Sequence, residues 1–111
     1  MNLKKKKIKF GFGTYGIGEK KSRNFCSEKS RVYFLNKVYE EGVFFFDTAE
    51  DYHEGFSEYL LGKAFKKNDE VVIATKISPI NYKKNILQSI DESLRRLNRD
   101  CIDIIQLHWP N

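Results

Sequence analysis

Two kinds of apolar run alternate along the chain. Residues 43–46, 71–75 and 101–107 are short and nearly unbroken, as strands are when both faces are covered. The segments between them repeat apolar residues every three or four positions, the spacing of a helix with one buried face. Ser27 caps the first such segment, its stripe is Val32, Phe34, Leu35, Val38 and Tyr39, and Gly42 stands where a helix-ending glycine belongs. The second takes Ser57 as its cap and buries Tyr59, Leu60, Leu61, Ala64 and Phe65, and Gly62 inside it predicts close packing on the sheet. The third, residues 82–97, places Ile86, Leu87, Ile90, Leu94 and Leu97 on one face, with Asp91, Glu92, Arg95 and Arg96 largely on the other. Ser78-Pro79 breaks the strand before it, and Asn98 to Asp100 turn the chain into the last strand. With strand starts recurring every thirty residues or so, roughly the length of a βα unit, the pattern predicts a parallel sheet.

The first strand is less regular. Gly11-Phe12-Gly13-Thr14-Tyr15-Gly16 matches GxGxxG letter for letter. A dinucleotide fingerprint needs a helix opening within it, whereas Gly18 to Cys26 is polar, charged and contains glycine. The stretch therefore reads as a short, glycine-softened strand whose backbone something approaches closely.

Composition narrows the class. At 111 residues, with 41% hydrophobic and 14% aromatic residues, the chain is one domain or part of one, with enough apolar material for a core. No apolar run approaches the ~20 residues of a membrane span, and the amino terminus carries charge without the apolar stretch of an export signal. Cys26 and Cys101 are far apart, with no CxxC, which argues against a disulfide framework or structural zinc and suits a cytoplasmic protein. With only two histidines in the sequence, a metal set of Asp47, His53 and His108 is disfavoured, and no metal is expected. Net charge is +5 and Lys4 to Lys7 form a run of four. Elsewhere Lys37, Lys63, Lys66 and Arg95 alternate with acids on helix faces, so neither nucleic acid nor a membrane is the expected partner.

The candidate chemistry lies at the strand ends. Asp47, Lys76 and His108 each follow a successive strand, and Tyr52 lies in the loop after the second. Right-handed crossovers bring such ends to one rim. Singly, each reads as a solvated terminus or a packing residue; together they form an acid–base set. A phenol donates a proton poorly near neutrality unless a cation stabilises its phenolate, which Lys76 can do while Asp47 keeps that lysine charged. His108 can orient a carbonyl as Tyr52 protonates its oxygen. The set lacks a hydride donor, which must be a cofactor because no side chain supplies one.

With those residues in place the chain closely resembles the aldo-keto reductase family of NADP(H)-dependent (β/α)₈ barrels. Phe46-Asp47-Thr48-Ala49, Tyr52, Gly55, Ser57-Glu58 and Leu61-Gly62 follow its first signature, Ala74-Thr75-Lys76 its third-strand motif, and Ser93-Leu94-Arg95-Arg96-Leu97 with Asp103 and Gln106-Leu107-His108-Trp109-Pro110 its fourth-strand motif. The resemblance implies NADPH-dependent reduction of aldehydes or ketones to alcohols. Tyr52 would be the general acid, tuned by Lys76 and Asp47, with His108 orienting the carbonyl. Gly13, Thr14, Tyr15 and Asp47 would lie beside the nicotinamide, and Tyr15, His108 and Trp109 would line the pocket for a small carbonyl substrate. His53 departs from the pattern, standing where many members carry glycine, and it alters the mouth of the pocket.

A complete barrel takes about 250 residues and eight strands. Residues 1–111 are thus expected to be an amino-terminal half, an incomplete domain of four strands and three helices. Most of the cofactor site would come from later strands, leaving the isolated chain inactive. The alternative is a non-catalytic relic, or a regulatory or binding subunit of the same fold. Phe44, Phe46, Val72, Ala74, Ile102 or their alternates would face water or another chain, so self-association through half-barrel edges is expected.

Overall fold

The computed structural model describes residues 8–25 and 27–110; the lysine run at 4–7 and Cys26 lie outside them. Four strands, β1 (Phe12–Gly13), β2 (Phe45–Asp47), β3 (Val72–Ile77) and β4 (Ile104–Leu107), form one sheet in the order β1-β2-β3-β4. Every neighbouring pair is parallel. Helices α1 (Glu28–Glu40), α2 (Phe56–Ala64) and α3 (Pro79–Leu97) form the crossovers. The expected βα repetition is therefore present. The GxGxxG stretch yields β1 and a single 3₁₀ turn at Gly16–Gly18 rather than a phosphate-binding helix. A side chain at Gly11 would stand 3.1 Å from the Phe45 carbonyl, which is the close backbone approach expected there.

The core lies between sheet and helices, where Leu35 of α1, Leu60 and Leu61 of α2, Leu97 of α3, and Phe46 and Ile73 of the sheet are sealed from solvent with Phe65. Phe46 packs its ring on Phe65 at 4.7 Å. Ser27 caps α1 as expected, in a reciprocal box with Ser30 made of two 3.1 Å bonds.

Other local expectations are corrected. Ser57 is no cap: α2 starts at Phe56 behind Gly55, whose φ of +91° suits only glycine, and the Ser57 hydroxyl donates inward to Thr14 O. Gly62 does pack closely, but on the end of α3 rather than on the sheet, since a Cβ there would stand 2.8 Å from the Leu97 carbonyl carbon. Helix α3 begins earlier than expected, at Pro79, and its buried line is Ser89, Ser93 and Leu97, leaving Ile86 and Leu87 exposed. Small serines allow that face to close on its neighbours, while of the expected stripe Leu97 is sealed and Ile90 and Leu94 are half-buried. Strand β3 runs through Lys76 rather than ending before it. Strand β4 begins at Ile104 because the Asp103 carboxylate accepts the Ile73 N–H at 2.9 Å in place of a ladder partner.

Exposure also falls elsewhere than expected. Phe46, Val72 and Ala74 are buried, Phe46 by the helices, and Val72 and Ala74 by register neighbours Phe45, Asp47 and Ile104 on the flanking strands. Phe44 and Ile102 are partly covered. The alternates Ile105 and Leu107 on the outer strand are the exposed ones.

Candidate active site

The loop after β2 is drawn over the end of β3 by its own backbone. Thr48 N donates to Ala74 O at 2.8 Å and Glu50 N to Lys76 O at 3.1 Å, continuing the ladder past Asp47. The nearly buried Glu50 carboxylate then accepts from Ser78 N and Asn81 Nδ2, both at 2.7 Å, tying the loop to the start of α3. This double attachment delivers Tyr52 to the sheet rim. The turn that follows is left-handed for three residues, with φ of 52° at His53, 58° at Glu54 and 91° at Gly55.

Lys76 is the centre of the site. Its ammonium donates to Asp47 Oδ2 at 2.7 Å, to Thr48 O at 2.8 Å and to Tyr52 Oη at 3.1 Å. An ammonium has three protons, and all three have acceptors. The lysine side chain is only 14% exposed, so these bonds are charge-assisted and poorly screened by water. The Tyr52 oxygen is an acceptor here, which leaves the phenol's own hydrogen to be donated elsewhere.

The remaining site residues flank that phenol. His108 N donates to Ile77 O at 2.9 Å, fixing the residue just past β4, and its ring meets the Tyr52 ring edge-on at 5.6 Å. Its Nδ1 makes no hydrogen bond but stands 3.5 Å from the Asp51 carboxylate. Trp109 packs on His108 at 4.4 Å. Tyr15 approaches from just past the carboxyl end of β1, its ring perpendicular to that of Tyr52 at 5.3 Å. Gly13 pairs with Asp47 in register, and nothing stands within 4 Å of where its Cβ would be. Thr14 is buried, its N–H and hydroxyl both bonded to Asp47 O at 2.9 Å. Thr14 thus holds the ends of β1 and β2 together, and its hydroxyl is engaged within the protein.

Lys76 is therefore in direct contact with both Asp47 and Tyr52, His108 and Tyr15 touch Tyr52, and Trp109 touches His108. Sequence reasoning gave no role to the polar brace beneath them. Glu58, fully buried, accepts from Thr75 Oγ1 at 2.5 Å and from Arg96 Nε at 2.6 Å, joining α2, β3 and α3 under the site. The carboxylate in the middle of an apolar helix face was the available signal. Asp51 beside His108 carried none. A hollow of about 740 Å³ lies near the end of α3, lined by Asp91, Arg95, Arg99 and Cys101 among others, and gathers no comparable acid–base set. Among the described residues no cluster could hold a metal ion, and no helix is long and apolar enough to cross a membrane.

A parallel βα sheet with polar groups gathered at the carboxyl ends of its strands is the arrangement of a (β/α)₈ barrel, and the four strands stand in the order of that barrel's first four. The chain belongs to the aldo/keto reductase family, whose model matches residues 9–111. It is 34% identical to aldo-keto reductase YhdN of Bacillus subtilis over 93% of its length and 34% of that protein's. It is 35% identical to methylglyoxal reductase YeaE of Escherichia coli over 89% of the chain and 34% of the relative. A solved aldo-keto reductase from Klebsiella pneumoniae in complex with NADPH superposes with a TM-score of 0.80 at 32% identity, over 91% of this chain and 35% of that one. The chain spans about a third of the length of the curated relatives it matches.

Proposed function

We propose that residues 1–111 supply the acid–base part of an NADPH-dependent carbonyl reductase, as the first four strands and three helices of its barrel. The observation that carries this reading is the lysine that saturates its three protons on Asp47, Thr48 and Tyr52 while leaving the phenol hydrogen free. The open space above Gly13, the exposed Tyr15 and the partly exposed Asp47 form a ledge that fits the flat nicotinamide end of the cofactor. Gly13, Tyr15 and Asp47 would hold that end, with Thr14 fixing their spacing. NADPH, when bound, supplies the hydride to the carbonyl carbon.

Tyr52 gives its proton to the carbonyl oxygen as negative charge develops there. The Lys76 ammonium stabilises the phenolate left behind, and Asp47 holds the ammonium in place. His108 orients the oxygen from the other side of Tyr52, and Tyr15 and Trp109 bound the space that a small aldehyde or ketone occupies.

Replacing Tyr52 with phenylalanine removes the proton and almost no volume. In the active enzyme Tyr52→Phe should lower kcat by at least about a thousandfold while leaving NADPH affinity, read by fluorescence titration, within about twofold. Turnover near that of the parent would sink the proposal.

A further inference from the structure

Two consecutive carbonyls of the loop after β1 are held from the segment after β2. Ser57 Oγ donates to Thr14 O at 2.9 Å, and His53 Nε2 lies 2.8 Å from Tyr15 O. A carbonyl only accepts, so the nitrogen facing Tyr15 carries the proton. The imidazole also packs on the Tyr15 ring, with centroids 4.8 Å apart. Gly18 leaves room for it, since a Cβ there would stand 3.0 Å from His53 Cδ2. One side chain therefore ties down both the backbone and the ring of Tyr15.

The backbone that presents this imidazole is unfavourable for it. His53 sits at φ 52°, ψ 46°, a region that glycine enters freely and a residue with a Cβ enters at a cost. That cost is met by the contacts the ring makes, and those contacts are with Tyr15. Tyr15 itself is 60% exposed, held between His53 and the edge of Tyr52 at 5.3 Å. An aromatic ring so exposed would otherwise change rotamer freely.

We propose that His53 is a positioning residue that locks Tyr15 perpendicular to Tyr52, giving the substrate space a fixed flat wall that selects flat carbonyl compounds such as aromatic aldehydes over branched ketones. A wall already in place loses no side-chain freedom when a flat ring docks against it, whereas a branched substrate needs the volume that Tyr15 occupies. The selectivity rests on the reductase reading above; the locking of Tyr15 does not.

NMR on the full chain reads the lock directly, and the two histidines give only two imidazole signal sets. The expected result is a His53 ring that carries a proton on Nε2, and a nuclear Overhauser contact between the Tyr15 and Tyr52 rings. His53→Gly and His53→Asn, both tolerant of the left-handed backbone, should lose that contact. In a reductase assay of the complete enzyme the same variants should raise KM for benzaldehyde about fivefold, leave KM for a branched ketone unchanged or lower, and change kcat by less than about twofold. A Tyr15–Tyr52 contact preserved in both variants overturns the lock. Loss of the contact with both KM values unchanged overturns the selectivity. A complete enzyme carrying residues 1–111 that shows the lock but reduces no carbonyl with NADPH overturns the reductase reading, and the selectivity with it, while the lock stands.

Discussion

Strands β3 and β4 are written in nearly the same apolar code, VIATKI and IIQL, yet β3 is buried along almost its whole length and β4 is largely exposed. Register makes the contrast sharp. Thr75 pairs with Ile105 and Ile77 with Leu107, so these residues share the helix-facing side of the sheet. Thr75 and Ile77 are sealed there, while Ile105 is 42% and Leu107 52% exposed. The difference lies in neighbours: β3 has a strand on each side and α2 and α3 above it, whereas among the described residues β4 has a strand on one side only. Apolar sequence states what a strand can bury, and the surrounding elements decide what it does bury. The acid–base residues follow the same division, since Lys76 stands on the enclosed strand and His108 just beyond the open one.

The largest effect that tests this contrast is a cavity made on each strand. Ile73→Ala removes atoms from a site with no solvent access and should cost about 3 kcal/mol in urea unfolding, while Ile105→Ala should cost less than about 1. Equal costs at a dilution where the chain is monomeric would show that β4 is covered within the chain and break the comparison.

A somewhat smaller loss is expected from the polar brace under the enclosed strand. Glu58→Ala strips Arg96 and Thr75 of their shared carboxylate. Arg96 keeps some access to water, so the loss should fall below the range for a fully buried pair, about 2–3 kcal/mol. Restoring the fold by adding Arg96→Leu to that variant would show that the unpaired cation, rather than the lost packing, was responsible. A Glu58→Ala chain as stable as the parent would mean the brace is dispensable and that apolar packing alone encloses β3.

What the sequence made legible follows the same line. The four strands, their parallel order and the meeting of Asp47, Tyr52 and Lys76 were readable because they depend on period and chain order, which survive without knowledge of contacts. The start of α2, the face of α3 and the extent of β4 were not readable, because each is set by a partner distant in sequence. Ser57 looks like a cap until Thr14 O claims its hydroxyl, and the Ile86–Leu87 stripe looks like core until Ser89 and Ser93 prove the better fit against β3 and α2. The roles of Glu58 and Asp103 went unread for the same reason: both residues stand in the quoted motifs, and the place of Glu58 on an apolar helix face is a local signal, but the strands their carboxylates serve are distant in sequence.

The smallest expected effect on stability carries the most about the open edge. Ile105 and Leu107 are half exposed on a strand whose outer N–H and C=O groups have no strand beside them among the described residues, and such an edge pairs readily with another chain. A second copy offers the same edge, and covering both side chains would contribute roughly 1 kcal/mol apiece in addition to the new backbone bonds. The parent chain should therefore elute from size exclusion with light scattering as a dimer or larger species. Ile105→Lys combined with Leu107→Lys places charge on the edge, which natural sheets use to keep edges apart, and should yield a monomer. Because neither side chain is buried within the chain itself, the unfolding free energy of that monomer should differ by less than about 1 kcal/mol from that of the parent diluted until it is monomeric. A parent chain already monomeric at high concentration would show that this edge does not associate, and a variant that still associates would move the interface away from β4.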